Sequence, residues 1–510
     1  MNKNVLDYLD NCVLAHPQKT AVVCEDKQYT YQEVKDLADS IGSAILNFSQ
    51  PKMPIPVYME KSADTYTLFL GIISAGCFYI LIDPEQPVSR ASHILETLQA
   101  KVLIATKDTF KKAKELPFKG SIYLLEDLRS TDKNETRLAE IRNQSLDIDP
   151  LYGIFTSGST GIPKGVVVSH RSVIDFIDCF TETFSIGADE RIGNQAPFDF
   201  DVSVKDIYSA LKVGASLVII PKKYFSIPTK LLDYLEEHSV TTLIWAVSAL
   251  CMVTTLKGFT YKIPATIKKV MFSGEVMPIK HLSLWQEAYP QADFVNLYGP
   301  TEITCNCTYY KIEKKFQAGE ILPIGKAFKN ERVFLLDEDN KEITNANSCG
   351  ELCVSGTALA LGYFGNWEQT NKAFVQNPLN PHYPEMIYRT GDLAYYNEDG
   401  LLCFKSRKDF QIKHMGHRIE LGEIEAALDK IPEITRNSCI YLEEKNKILC
   451  FYQGTIDKKE LVAKLKMSLL PYMVPNLFLQ MEQLPITKNG KIDRNKLKED
   501  YLCKKKSSAN

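Results

Sequence analysis

Short apolar runs recur along the first 400 residues, at 20–24, 54–58, 101–105, 121–125, 215–220 and 241–246, each of a length that suits one strand. Between them stand segments whose apolar positions repeat at helical spacing, 31–48, 64–75, 88–99 and 228–238. This alternation predicts α/β layers with largely parallel sheets, in which ligand loops lie at strand ends. From 337 to 404 the texture changes to short β-like runs, 351–355 and 401–404, broken by turn pairs such as Asp399-Gly400. A smaller β unit is expected there, closing the large domain. Beyond Arg407-Lys408-Asp409 the order reads strand (410–414), helix (421–430), strand (436–442), strand (447–452), helix (458–469). The fold class expected is therefore α/β: a large N-terminal domain, 1–406, of α/β layers plus a small β unit; a junction at 407–409; and a small, mobile α+β C-terminal domain, 410–510.

Composition narrows the function. Apolar residues at 45% and charged residues at 24% match an ordinary soluble globular chain, which argues against wholesale disorder. Lys and Arg number 60 against 63 Asp and Glu, so no cationic excess exists for nucleic acid or an acidic membrane surface. The 13 cysteines are odd in number and contain no C-x-x-C, which suits reduced thiols better than a disulfide framework or a structural zinc site. The start of the sequence has no signal-peptide core, and no stretch reaches the roughly 18 apolar residues of a membrane span. A cytoplasmic setting without membrane insertion is expected, and a monomer is the default.

Five segments carry candidate chemistry. Residues 154–165, Ile-Phe-Thr-Ser-Gly-Ser-Thr-Gly-Ile-Pro-Lys-Gly, form a hydroxyl- and glycine-rich loop after a strand. Thr156, Ser157, Gly158, Ser159, Thr160, Gly161 and Lys164 offer amides, hydroxyls and one cation to polyphosphate oxygens, and the glycines let the main chain approach closely. The loop is not a Walker loop, because Lys164 follows Pro163 and precedes Gly165. A flexible linker is the plain alternative. The segment Asn296-Leu297-Tyr298-Gly299-Pro300-Thr301-Glu302 joins an aromatic ring, a tight turn and a hard carboxylate ligand of the kind Mg2+ takes beside phosphates. In Tyr388-Arg389-Thr390-Gly391-Asp392 a carboxylate follows a turn, where it can accept from two vicinal hydroxyls. The last two segments, 406–421 at the domain junction and 484–494 with Lys491 just after Asn489-Gly490, show no obvious chemistry alone.

Taken in order, these segments resemble the adenylate-forming, AMP-binding superfamily: acyl-CoA synthetases, nonribosomal peptide synthetase adenylation domains and firefly-type luciferases. Leu81-Ile82-Asp83-Pro84, Gly350-Glu351-Leu352 with Gly362-Tyr363, and 470–475 extend the likeness over nearly the whole chain. Within that superfamily the chain looks most like D-alanine:D-alanyl carrier protein ligases and, close behind, stand-alone peptide synthetase adenylation domains. The segment 198–208 is similar to the one whose Asp, here Asp201, pairs with a substrate α-ammonium. The segment 271–278 is similar to a D-alanine ligase segment, with Ser273 where those enzymes typically carry Cys.

The resemblance implies ATP-dependent activation of an amino acid as aminoacyl-AMP with release of pyrophosphate. Transfer to the phosphopantetheine thiol of a separate carrier protein follows, since too few residues come after Lys491 for a carrier domain. It assigns Lys491, Glu302 and Thr156 to catalysis, with Glu302 on Mg2+. ATP falls to Thr156, Ser157, Gly158, Ser159, Thr160, Gly161, Lys164, Asn296, Tyr298, Gly299, Thr301, Asp392, Arg407 and Lys491. The amino acid falls to Asp201, Val202, Lys205, Met271, Ser273, Gly274, Leu297 and Cys305, and the hinge to Asp409. Related enzymes usually have an apolar residue where Lys205 stands. Two readings of it are open, a helical ion pair with Asp201 four residues away or a contact to an acidic substrate side chain. An aryl- or acyl-CoA ligase, with Asp201 in a structural role, is the rival reading of the whole chain.

Overall fold

The computed structural model describes residues 2–25, 27–158, 162–486 and 492–507. Ser159, Thr160, Gly161 and Lys491 of the expected site lie outside the described residues. The chain divides into two compact units. The first comprises 1–84, 95–155 and 165–408, and the second comprises 85–94, 156–164 and 409–510.

Three sheets build the first unit. Among the described residues one sheet has nine strands, and its central six are parallel: Thr20–Cys24, Ser216–Ile219, Arg191–Asn194, Thr242–Ala246, Lys269–Ser273 and Asp293–Tyr298, in that spatial order. A seven-stranded sheet holds the parallel neighbours Pro54–Tyr58, Phe78–Ile82, Val102–Ala105 and Ser121–Leu124. The third, of six strands, is antiparallel and is centred on Cys349–Gly356 and Met386–Tyr396. The expected α/β layers and the small β unit are both present, and the latter begins at Glu331 rather than near 337.

Strand residues point alternately to opposite faces, and the apolar runs use both. Leu217 and Ile219 join one buried cluster with Ile55, Val57, Val295, Leu335 and Leu352, which ties all three sheets together. Val218 and Ile220 join a second cluster on the other face, with Trp245, Phe272, Trp285 and Phe294. Trp245 donates its indole N–H to the Gly193 carbonyl at 2.7 Å and Trp285 to that of Leu250 at 3.0 Å, so neither large ring buries an unmet donor. Local signals fix the helix starts: Thr30 and Glu33 cap helix Tyr31–Ile45 reciprocally, and Ser62 accepts from the Thr65 amide at the head of Ala63–Ser74.

The second unit is α+β. A hairpin, Gln411–His414 with His417–Glu420, precedes helix Leu421–Asp429. A three-stranded sheet, Ile434–Leu442, Lys447–Gly454 and Leu477–Gln480, packs with helix Lys458–Lys466 around Ile424, Leu428, Ile448, Leu461 and Leu465. Among the described residues no helix of either unit is long and apolar enough to cross a membrane.

Candidate functional site

Two buried polar clusters in the first unit contain most of the residues singled out by sequence. The first begins at the end of strand Asp293–Tyr298. Tyr298 donates its hydroxyl to Asp392 Oδ2, and Arg407 Nη1 donates to the other oxygen, Oδ1. The Asp392 backbone amide donates to the Thr390 hydroxyl at 3.0 Å. Burial first, and the Asp392 charge second, hold the Tyr298 phenol well above its usual value, so Tyr298 stays a donor. Asn296, on the same strand, spends its side-chain amide on the Pro323 carbonyl at 2.8 Å.

The turn after Tyr298 needs a glycine. A Cβ on Gly299 would lie 2.4 Å from Asn306 Cα and 2.7 Å from the Cys305 carbonyl oxygen, so any side chain there would drive the two chain segments apart. The crossing brings Thr301, Cys305 and Asn306 to the second cluster.

That cluster is built around Asp201 and helix Val202–Val213. Asp201 is the N-cap residue of the helix, yet its side chain makes no capping hydrogen bond. An Asp at this position ordinarily accepts from an amide of the first turn. Here the carboxylate accepts instead from the Thr301 hydroxyl, at 2.6 Å, and is buried. Thr301, expected on a phosphate, is thus engaged with Asp201. Cys305 donates its thiol to the Asp201 carbonyl at 3.2 Å, and burial pushes that thiol up to about 12, so it behaves as a neutral lining group. Thr304 and Cys305 both have positive φ, 57° and 111°, a local strain that the surrounding packing must over-determine. Lys205, one turn after Asp201, donates to Asn306 Oδ1 at 2.6 Å and to the Ser273 hydroxyl at 3.3 Å.

Val202, Met271 and Leu297 are buried apolar neighbours in sequence of these polar groups, and Gly274 follows Ser273 with φ +96°. Glu302 is fully buried and accepts from the Tyr363 hydroxyl at 2.7 Å. Mg2+ commonly binds through one or two carboxylates together with phosphate oxygens, so a single oriented Glu fits such an ion.

Of the glycine-rich loop, Thr156, Ser157, Gly158 and Lys164 fall in the second unit, whereas Ile154, Phe155 and Gly165 fall in the first. A Cβ on Gly158 would stand 2.0 Å from the Ile162 carbonyl oxygen, so this turn also requires glycine. The Thr156 hydroxyl is buried without a hydrogen-bond partner among the described residues. An unmet buried donor is costly and suits a loop whose acceptor is a ligand. Ser157 donates to the Arg418 carbonyl at 3.0 Å. Lys164 opens strand Lys164–Ser169, and the Asp409 side chain accepts from the Gln411 amide at 3.2 Å.

Sequence reasoning gave no role to four contributors. Asn306 holds Lys205, and Tyr363 orients Glu302. Asn194 donates to Asp206 at 2.7 Å, and burial pushes that carboxyl up to about 7. Lys61 donates to the Gln195 carbonyl at 2.7 Å and to Asn194 Oδ1 at 3.1 Å, which pins the stretch leading to Asp201, and burial lowers its ammonium to about 7. A polar residue between two cysteines, as at 306, was the one available signal; the other partners come from distant parts of the chain.

The model of the family described as AMP-binding enzyme matches residues 9–364. Tyrocidine synthase 1 of Brevibacillus parabrevis is 31% identical over 99% of this chain, which spans only 46% of that protein's length. Zwittermicin A synthase ZmaJ of Bacillus cereus is 31% identical over 95% of this chain and 93% of its own. In fold, the chain is similar to the Vibrio cholerae adenylation domain AlmE, solved with glycyl-adenosine-5'-phosphate. The TM-score is 0.84 at 23% identity, over 99% of this chain and 98% of that one.

Proposed function

The chain belongs to the AMP-binding enzyme family, and from that premise we propose that it activates an amino acid with ATP and passes it to the thiol of a separate phosphopantetheinylated carrier protein. The observation that carries this reading is Asp201, a buried carboxylate held by Thr301 and turned away from the capping role its position offers. A buried carboxylate offers the α-ammonium of an amino acid a counter-charge.

In the first half-reaction a substrate carboxylate oxygen bonds to the α-phosphorus of ATP, the bond to the β-phosphate oxygen breaks, and pyrophosphate leaves. Two anions meet in this step, so donors and cations must stand where the charge accumulates. Thr156, Ser157, Thr160 and Lys164 are assigned to the phosphates, Tyr298 to adenine and Asp392 to the ribose hydroxyls. Glu302 would hold Mg2+, which when bound neutralises phosphate charge. Lys491 bridges the attacking carboxylate and the α-phosphoryl oxygens. In the second half-reaction the carrier thiolate bonds to the aminoacyl carbon and AMP departs. The C-terminal domain, 410–510, turns about Asp409 between the two steps, which removes Lys491 from the path of the thiol.

The test is ATP–pyrophosphate exchange with the full chain across both enantiomers of all amino acids, followed by thioester loading of carrier proteins. D-Alanine, the finer identity that the resemblance implies, is one arm of that panel. Exchange with at least one amino acid is expected, and exchange with none overturns the reading. Lys491→Ala is expected to abolish exchange while sparing transfer from preformed aminoacyl-AMP, and loss of both would refute the assigned division of labour.

A further inference from the structure

Lys205 is the least ordinary residue of the substrate cluster. Lysine is almost never fully buried unless it is paired with an anion, and Lys205 is 0% exposed. Its ammonium carries three donors, and the acceptors it meets, Asn306 Oδ1 at 2.6 Å and Ser273 Oγ at 3.3 Å, are both neutral. Among the described residues no carboxylate oxygen lies within 4.0 Å of it.

The two nearest acidic residues in sequence do not fill that gap. Asp201, at the i−4 position, accepts from Thr301, and the helical ion pair that the spacing allows is not formed. Asp206, the next residue, accepts from Asn194 with one oxygen and leaves the other, Oδ1, buried without a partner among the described residues. Burial pushes its carboxyl up to about 7, so even this neighbour is only partly charged at neutral pH. A desolvated ammonium whose hydrogen-bond acceptors are both neutral, with only the partly protonated Asp206 acting on it through space, is costly, and an anion arriving from outside the protein offsets that cost.

Accepting the amino-acid-activating reading above, we propose that the site selects an amino acid whose side chain ends in a carboxylate, aspartate or glutamate, with Lys205 as the residue that determines this preference. Side chains at i and i+4 on a helix stand about 6 Å apart at Cβ. Asp201 and Lys205 can therefore hold the α-ammonium and the side-chain carboxylate of one such molecule, which a few bonds separate. An amide side chain fits less well: Asn306 already gives Lys205 an amide oxygen, and what the ammonium lacks is charge.

Exchange with the full chain on aspartate, glutamate, asparagine, glutamine, alanine and leucine, in both enantiomers, tests this. One acidic amino acid is expected to exceed its own amide by about 100-fold in kcat/KM, the size of one buried charge-assisted contact. In Lys205→Met, of similar length and without charge, that ratio is expected to collapse or invert. A best substrate with a neutral or basic side chain overturns the acidic preference while leaving amino acid activation standing, as does an unchanged ratio in Lys205→Met. Exchange with no amino acid overturns both. Should Lys205→Met fail to fold, the wild-type ranking decides alone.

Discussion

The two polar clusters of the first unit treat charge in opposite ways. Around Asp392 the ionic groups are already matched, since Arg407 and Tyr298 occupy its two oxygens. Around helix Val202–Val213 Asp201 accepts from a hydroxyl, and Lys205 donates to a neutral amide and a hydroxyl rather than to a carboxylate. A matched cluster stabilises the fold before any ligand arrives and fixes side-chain positions. A divided one is costly to the empty protein and gains only on binding. The first should therefore lose stability and binding together when cut, whereas the second should trade one for the other.

The largest effect expected is from Asp201→Ala. Removing a buried carboxylate that meets an ammonium costs about 3–5 kcal/mol, or roughly 10²- to 10³-fold or more in kcat/KM for the amino acid. Exchange kinetics measure it, and a change under about tenfold would remove Asp201 from the substrate. Next, Asp392→Ala removes one charged partner of the Arg407 guanidinium, whose side chain is only 10% exposed. Loss of about 1.5–3 kcal/mol in unfolding free energy is expected with a raised KM for ATP; loss of only one of the two would show that the cluster does not serve both ends.

The pH dependence supplies the third prediction. Burial raises the folded Asp206 carboxyl from 3.8 to about 7, so the native state keeps a proton there that the unfolded chain gives up near pH 4. The stability this provides is complete below about pH 4 and is lost as pH rises to 7. Asp206→Asn should flatten this part of the denaturation profile by up to about 1.4 kcal/mol per pH unit; an unaltered slope would mean that Asp206 is ionised in the native protein. The smallest effect is on Lys205→Met without substrate, which should be stabilised by about 1 kcal/mol, the relief of a buried cation exceeding the loss of its bonds to Asn306 and Ser273. Destabilisation there would class Lys205 as a strut.

Much of this was legible in the sequence, for reasons that differ by region. Strands such as Pro54–Tyr58 and Thr242–Ala246 are buried along their whole length, so composition alone marks them. The edge strand Lys27–Thr30 is polar and half-exposed and gives no such signal. At the junction, the strand expected over 410–414 is present, but its partner His417–Glu420 went unread. Their two-residue turn, Met415-Gly416, takes positive φ at both positions, 53° and 80°. Asn-Gly is the sequence that ordinarily announces such a turn, and a methionine there conceals it. For the site, the segment at 296–302 was visible because its residue types are unusual neighbours, whereas 198–208 stood out only through its likeness to the family. Their cross-links, Lys205 to Asn306 and Glu302 to Tyr363, join positions 101 and 61 residues apart, and local pattern does not report such pairings.

The bare backbone at Gly299 has one more implication. With no side chain between them, the stretch that ends in Tyr298 and the one that supplies Asn306 touch main chain to main chain. A side chain at 299 would part these two stretches, and with them the ring of Tyr298 and the Asn306 amide oxygen that accepts from Lys205.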